Sequence, residues 1–209
     1  MIYVDMANYS KKLKSNLVLD NISLAIEKGT VIGLHGRNAS GKTMLLRALA
    51  GLILPTEGHV TINGITLKGK DRFPPSCGII LETIHFWPGL TAGETLEVLT
   101  SINNRATKED ISNALLRAGL DPEDKRKVRK FSLGMKQKLA IAQAIVEKPD
   151  LLLLDEPTNS LDDVARKKFQ EMIAQEKARG CTVVIASHIL EDLEITCDEI
   201  RKIDNGRLH

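Results

Sequence analysis

Gly36-Arg37-Asn38-Ala39-Ser40-Gly41-Lys42-Thr43 decides the fold: it fits the spacing G-x-x-x-x-G-K-[S/T] and joins an apolar run, Val31 to Leu34, to a helical stretch from Lys42 to about Ala50. In such a loop the glycines let backbone N–H groups turn inward around a polyphosphate, and the N-terminus of the following helix adds a dipole that favours anions. Lys42 brings a positive charge between the outer phosphates, and the Thr43 hydroxyl is placed to hold Mg²⁺. Gly36, Arg37, Asn38, Ala39, Ser40, Gly41, Lys42 and Thr43 are therefore the expected phosphate-binding residues. The loop by itself specifies a nucleotide and no reaction.

Outward from the loop, short apolar runs alternate with amphipathic stretches, the pattern of a largely parallel sheet covered on both faces. Val31 to Leu34, Leu151 to Leu154 and Val183 to Ala186 are the expected strands. Gly51 stops the helix after the loop. Asp162 can cap a helix that carries Ala165, Phe169, Met172 and Ile173 on one face and ends at Gly180. Ile2 to Met6, Ile22 to Ile26 and His59 to Ile62, separated by turn signals such as Glu27-Lys28-Gly29 and Asn63-Gly64, predict a small antiparallel layer. Between about Thr83 and Pro149 the sequence reads as helices near Ala92 to Ser101, Lys108 to Ala118 and Leu133 to Val146. The expected class is α/β: a P-loop NTPase core with a mainly parallel sheet, an N-terminal antiparallel layer and an inserted helical subdomain. The expected division is 1–82 and 150–209 for the core and 83–149 for the insertion, within one domain.

Composition narrows the partners. A chain of 209 residues with 43% hydrophobic content can bury one substantial core. Its 29 basic and 27 acidic residues leave a formal charge of +2, which gives no general attraction to nucleic acid or anionic lipid. Cys77, Cys181 and Cys197 are odd in number and widely spaced, fitting neither a disulfide framework nor a zinc site, so reduced thiols are expected. The opening stretch lacks the apolar core of a signal peptide, and no apolar run approaches the roughly 18 residues of a membrane helix.

Two consecutive carboxylates follow the run Leu151 to Leu154. A buried strand delivers Asp155 and Glu156 to its C-terminal edge, beside the phosphate loop in folds of this kind. Because neighbours on one strand point opposite ways, Asp155 is expected in the Mg²⁺ shell and Glu156 beside the water that attacks a γ-phosphate. Ser132 reads as the N-cap of a helix whose first N–H groups form a second anion-binding turn.

Phe131-Ser132-Leu133-Gly134-Met135-Lys136-Gln137 resembles the signature motif of the ABC ATPases, usually read as LSGGQ, and stands shortly before the acidic strand as it does in that family. Asn159-Ser160-Leu161-Asp162 looks like the family's D-loop, and Ser187-His188 looks like its switch histidine. Leu133 and Met135 depart from the usual signature. Glu82, in Ile79-Ile80-Leu81-Glu82-Thr83, stands where the family usually has a glutamine. That variant, together with Ser-Leu-Gly-Met-Lys-Gln, resembles the bacitracin-resistance and lantibiotic-immunity branch of ABC exporters.

The resemblance implies ATP and Mg²⁺ as ligands, with Thr43, Glu82 and Asp155 toward the metal and Glu156 and His188 as catalytic groups. It implies that Ser132, Leu133, Gly134 and Met135 reach the ATP of a second subunit, in a homodimer or heterodimer, with Ser160, Leu161 and Asp162 as the D-loop. It also implies a separate membrane permease docking near Phe86 and Trp87, and a cytoplasmic location at the inner face of the plasma membrane. Tyr9, in the first β layer at a suitable interval before the loop, is the ring expected to stack on adenine, whereas Tyr3 reads as strand packing. No nucleic-acid partner is expected; Lys125-Arg126-Lys127-Val128-Arg129-Lys130 reads as a solvated face. The expected function is the ATP-hydrolysing subunit of an exporter of antimicrobial peptides or other amphiphiles. Two alternatives remain open: a non-transport ABC ATPase regulating a membrane or cell-wall complex, and a nucleotide kinase or small-molecule phosphotransferase, for which no acceptor site is visible.

Overall fold

The structure, a computed structural model, describes residues 1–81 and 85–209. Two sheets enclose the helix that follows the phosphate loop. The first is antiparallel and contains β1 (Ile2–Leu13), β2 (Asn16–Glu27), β4 (Glu57–Ile62) and β5 (Ile65–Thr66) in the order β2-β1-β4-β5. The second contains β3 (Val31–His35), β6 (Cys77–Ile80), β7 (Leu151–Asp155), β8 (Thr182–Ser187), β9 (Glu199–Asp204) and β10 (Arg207–Leu208) in the order β10-β9-β3-β8-β7-β6. Its pairings are parallel except for the β9–β10 edge.

The apolar runs are continuous because both faces of the second sheet are covered. Along β7, Leu151 and Leu153 join the core shared with the antiparallel sheet and with α1 (Lys42–Leu49), whereas Leu152 and Leu154 join the core on the opposite face. That opposite core is built against α2 (Ala92–Thr100), α3 (Lys108–Arg117), α4 (Leu133–Ile145), α5 (Asp163–Ala178) and α6 (Leu190–Thr196). All four leucines are at most 1% exposed, so truncating one to alanine costs about 2–5 kcal/mol. Ala165, Phe169, Met172 and Ile173 are the buried face of α5, as the 3.6-residue spacing predicts.

The three helices of the middle segment begin at strong caps. Thr91 and Thr107 form capping boxes with Glu94 and Asp110, and Ser132 caps α4. An ion network braces this segment against the rest of the chain. The Glu176 carboxylate on α5 is 1% exposed and meets Arg117 of α3 at 2.7 Å. It also pairs with Arg179, whose guanidinium donates to the carbonyls of Lys148 and Pro149 just before β7. Burial of a carboxylate is tolerated here because two cations and a fixed set of carbonyls complete the network.

The antiparallel strands run longer than expected. β1 continues past Met6 to Leu13, and β2 begins at Asn16. Asn8 has a positive φ of 48°, and the β1–β2 register shifts between Met6 and Tyr9. The bulge breaks the period-2 alternation, which is why the pattern in the sequence stops at Met6. The closing elements α6, β9 and β10 are short and bear many charges, so apolar periodicity does not announce them.

Candidate functional site

The phosphate loop, Asp155 and the segment after β8 all leave parallel strands at the same sheet edge. They meet at a cleft of about 560 Å³, lined by residues 38–44, Asp155, Glu156, Leu17, Val18 and the Asn205–Gly206 turn. Gly41 caps α1 with φ 112°, a value that L side chains rarely adopt. Ala39 holds a left-handed φ of 63°, which costs a residue with a Cβ about 1 kcal/mol, so the loop carries strain at the cleft. Residues 41–44, at the N-terminus of α1, line the cleft, and a helix N-terminus favours an anion.

Lys42 is only 5% exposed. Its ammonium donates to the carbonyls of Gly36 at 2.6 Å and Arg37 at 3.2 Å and lies 3.5 Å from Glu156 Oε1. The Thr43 hydroxyl donates to Asp155 Oδ2 at 2.5 Å. His188 Nδ1 sits 2.9 Å from Glu156 Oε2, and the Ser187 hydroxyl donates to the same oxygen at 3.5 Å. A carboxylate only accepts, so Nδ1 carries the proton in this contact. The structure thus brings the loop, Lys42, Thr43, Asp155, Glu156 and His188 into one connected set.

The convergence of both carboxylates corrects the simple strand rule. Strict alternation would send Asp155 and Glu156 to opposite faces, yet both line the cleft. β7 ends at Asp155, and Glu156 adopts φ 46°, which swings its side chain back beside Lys42 while its N–H still reaches the Ala186 carbonyl at 2.9 Å.

The donor set fits Mg²⁺. Thr43 and Asp155 present hard oxygens at one point, and the buried Glu156 Oε1 accepts no hydrogen bond among the described residues. Among the described residues no cluster of three or more His, Cys, Asp and Glu side chains forms a separate metal cage. Mg²⁺ needs no such cage, because it takes few protein ligands and shares the rest with phosphates and water. Glu82, the other expected metal-side residue, lies outside the described residues.

Tyr9 is a correction. Its side chain is fully buried in the core beneath the antiparallel sheet, and its hydroxyl donates to the Ile53 carbonyl at 2.9 Å, so no ring face is available to a base. Burial pushes the phenol up to about 12. Leu17, Val18, Asn205 and Gly206 line the cleft instead and were not anticipated. The only signal for the last two is an Asn-Gly turn far along the chain.

None of Ser132, Leu133, Gly134, Met135, Ser160, Leu161 and Asp162 lines the cleft. Ser132 is exposed and its hydroxyl accepts the Met135 N–H at 3.2 Å, while Leu133 is 66% exposed at the head of α4. Gly134 passes so close to the 160 position that a Cβ would lie 2.8 Å from the Ser160 carbonyl oxygen. Gln137 donates to the Pro157 carbonyl at 2.9 Å, a second tie between α4 and the segment after Glu156. Leu161 is buried, and the Asp162 carboxylate caps α5 by accepting the Ala165 N–H at 2.8 Å. Phe86 is partly buried against the helical core and Trp87 is 52% exposed. No helix among the described residues is long and apolar enough to cross a membrane.

Comparison with known proteins agrees with this geometry. The residue pattern of the family described as ABC transporter matches residues 19–159. YybJ of Bacillus subtilis (strain 168), an uncharacterised ABC transporter ATP-binding protein, is 49% identical over 98% of this chain and 94% of its own length. The bacitracin transport ATP-binding protein BcrA of Bacillus licheniformis is 38% identical over 98% of this chain and 68% of its own length. Among solved structures, a dimeric post-hydrolysis state of the ATP-binding cassette MJ0796, bound to ADP and Pi, superposes with a TM-score of 0.87 at 25% identity, covering 99% of this chain and 96% of that one.

Proposed function

This chain belongs to the ABC transporter family as an ATP-binding, ATP-hydrolysing subunit, and from that premise we propose that it powers export of antimicrobial peptides or related amphiphiles through a separate membrane permease. The observation that carries the chemistry is the convergence of Lys42, Thr43, Asp155, Glu156 and His188 on one cleft. The transport half rests on the likeness to BcrA, described as a bacitracin transport protein.

The α1 N-terminus and the loop N–H groups take the phosphate tail, and Lys42 exchanges its carbonyl partners for β- and γ-phosphate oxygens. Thr43 and Asp155 would hold Mg²⁺, which would supply positive charge to offset that of the phosphate tail. Glu156 polarises the attacking water, and His188 Nδ1–H keeps the carboxylate oriented while Nε2 faces the γ-phosphate. Attack by water forms the new P–O bond as the bond to the bridging oxygen breaks, leaving ADP and inorganic phosphate.

The head of α4 completes the site in a second copy. Ser132, Leu133, Gly134 and Met135 present a capped helix N-terminus that is exposed in one chain, suited to the γ-phosphate held by another. The ties from Gly134 to Ser160 and from Gln137 to Pro157 link that turn to the segment bearing Glu156, with Ser160, Leu161 and Asp162 as the connecting D-loop. Two chains, identical or different, then enclose two ATP molecules; hydrolysis removes the shared γ-phosphate contacts and the chains part. Residues 83–149 act as the subdomain that presents Phe86 and Trp87 to the permease, which holds the chain at the inner face of the membrane.

The direct test is phosphate release from ATP with Mg²⁺ and no acceptor present. Hydrolysis in the wild type, with Lys42→Ala losing nucleotide affinity by about a hundredfold, is expected, since hydrogen bonds to charged groups contribute about 1.5–3 kcal/mol. Turnover that appears only when a phosphate acceptor is added would contradict this reading.

A further inference from the structure

The helix that follows His188 is weakly anchored by its own sequence. α6 spans only Leu190–Thr196, has no side-chain cap at its head, and buries one side chain fully, Leu193, beside Gly33 of β3. A helix this short with one apolar anchor does not fix its own place. Among the described residues, Asp192 is the one member of α6 whose side chain makes a polar contact outside the helix. Thr158, 5% exposed, donates its hydroxyl to Asp192 Oδ2 at 2.7 Å, and Arg166 of α5 stands 3.9 Å from Oδ1.

Thr158 stands two residues after Glu156, and Asp192 four residues after His188. The Thr158–Asp192 bond and the His188–Glu156 contact therefore tie the same two segments at two points. The two ties are unequal. The His188 side chain is 43% exposed and competes with water for its contact, whereas the hydroxyl of a buried threonine on a largely covered carboxylate makes the stronger bond. The buried tie sets where α6 sits, and the place of the exposed ring follows from it. The same short segment is also held from α4, since the Pro157 carbonyl accepts the Gln137 side-chain amide at 2.9 Å.

We propose that Asp192 is a positioning residue for ATP hydrolysis: by accepting the Thr158 hydroxyl it fixes α6 against the segment after β7 and so holds the His188 ring at Glu156. This rests on the roles proposed above for Glu156 at the attacking water and His188 at the γ-phosphate. Neither Thr158 nor Asp192 lines the cleft, so both act at one remove from the nucleotide.

The test is steady-state phosphate release from ATP with Mg²⁺, read as kcat and KM, beside calorimetric titration with ATP. Thr158→Val keeps the side-chain shape and removes the donor. It should lower kcat by about tenfold, the size of a lost hydrogen bond to a charged group, with KM and ATP affinity within about twofold of wild type. Thr158→Ser restores the donor and should bring kcat back to within about threefold of wild type. Asp192→Ala removes the acceptor at a partly exposed position and should match Thr158→Val, which gives the same readout if the valine protein does not fold. Because Thr158 and Asp192 act through the ring, adding either change to His188→Ala should cost less than about twofold more in kcat. Full kcat in Thr158→Val and Asp192→Ala, no recovery with serine, or losses that multiply when combined with His188→Ala would each overturn the proposal. If His188→Ala lowers kcat and Asp192→Ala does not, only the role of Asp192 is wrong. If His188→Ala itself keeps wild-type kcat, the role given to His188 is wrong and the proposal falls with it.

Discussion

The two helix N-termini that the proposed function assigns to phosphate differ in what surrounds them. The head of α1 opens into a cleft walled by its own chain, where Lys42 is 5% exposed and Asp155 9%. The head of α4 lies at the surface, with Ser132 exposed and Leu133 66% exposed. The first is finished by residues from β3, β7 and β8; the second has only its cap and its ties to Pro157 and Ser160. A helix terminus left open, yet anchored to the segment that carries Glu156, is the expected form of half a site whose other half comes from outside the chain.

Changes at the two ends should therefore fail in different ways. Glu156→Gln strikes the finished end and should lower ATP turnover by about 10²–10⁴-fold while ATP affinity is retained, measured by phosphate release alongside calorimetric titration. A parallel collapse of affinity would mean that Glu156 mainly supports the loop through Lys42. Glu176→Ala loosens the brace between α3, α5 and the Lys148–Pro149 carbonyls. It should lower unfolding free energy by about 3–5 kcal/mol in urea, because two cations lose a buried partner. A loss below about 1 kcal/mol would show that the network is solvated and dispensable.

Ser132→Ala strikes the open end. It should cost about 1 kcal/mol of stability from the lost cap and lower ATPase activity, yet leave the affinity of a single chain for ATP intact. An equal loss of monomer affinity would place the turn in the same cleft as Lys42 and erase the contrast. The smallest expected effect per group concerns both cores. Burial pushes Cys181 and Cys197 up to about 12 and raises Cys77 as well. A thiol whose pKa is raised by folding contributes stability that is present below its unfolded value, near 8.5, and is lost as pH rises toward its folded value. Urea unfolding at pH 10 should accordingly give lower stability than at pH 8, on the order of 1 kcal/mol for each thiol. Cys181→Ala should reduce that pH dependence.

The phosphate end was legible in the sequence because its chemistry needs particular residue types at fixed spacing on either side of a strand and a helix. Buried strands announced themselves for a similar reason: coverage on both faces leaves no polar position in β7 before Asp155. The far wall of the cleft was illegible. Leu17 and Val18 are ordinary aliphatic strand residues, and Asn205–Gly206 is brought beside them by β9 pairing with β3 and by the ties of Gly206 and Arg207 to Asp20. Tyr9 stands at a suitable interval before the loop, but an interval does not say which way a ring points, and nothing in residue spacing reports the bulge at Asn8 beside it. The same applies to Glu156, whose left-handed backbone sets its direction against the strand rule.

In the proposed function, one chain's α1 and another's α4 close over a single triphosphate. Light scattering of Glu156→Gln with saturating ATP and Mg²⁺ tests it most directly, compared with the same protein also carrying Ser132→Arg. A shared site requires a particle of twice the monomer mass for the first protein, and a monomer that still binds ATP for the second. A Glu156→Gln protein that binds ATP and stays monomeric, or a dimer indifferent to Ser132→Arg, would contradict it.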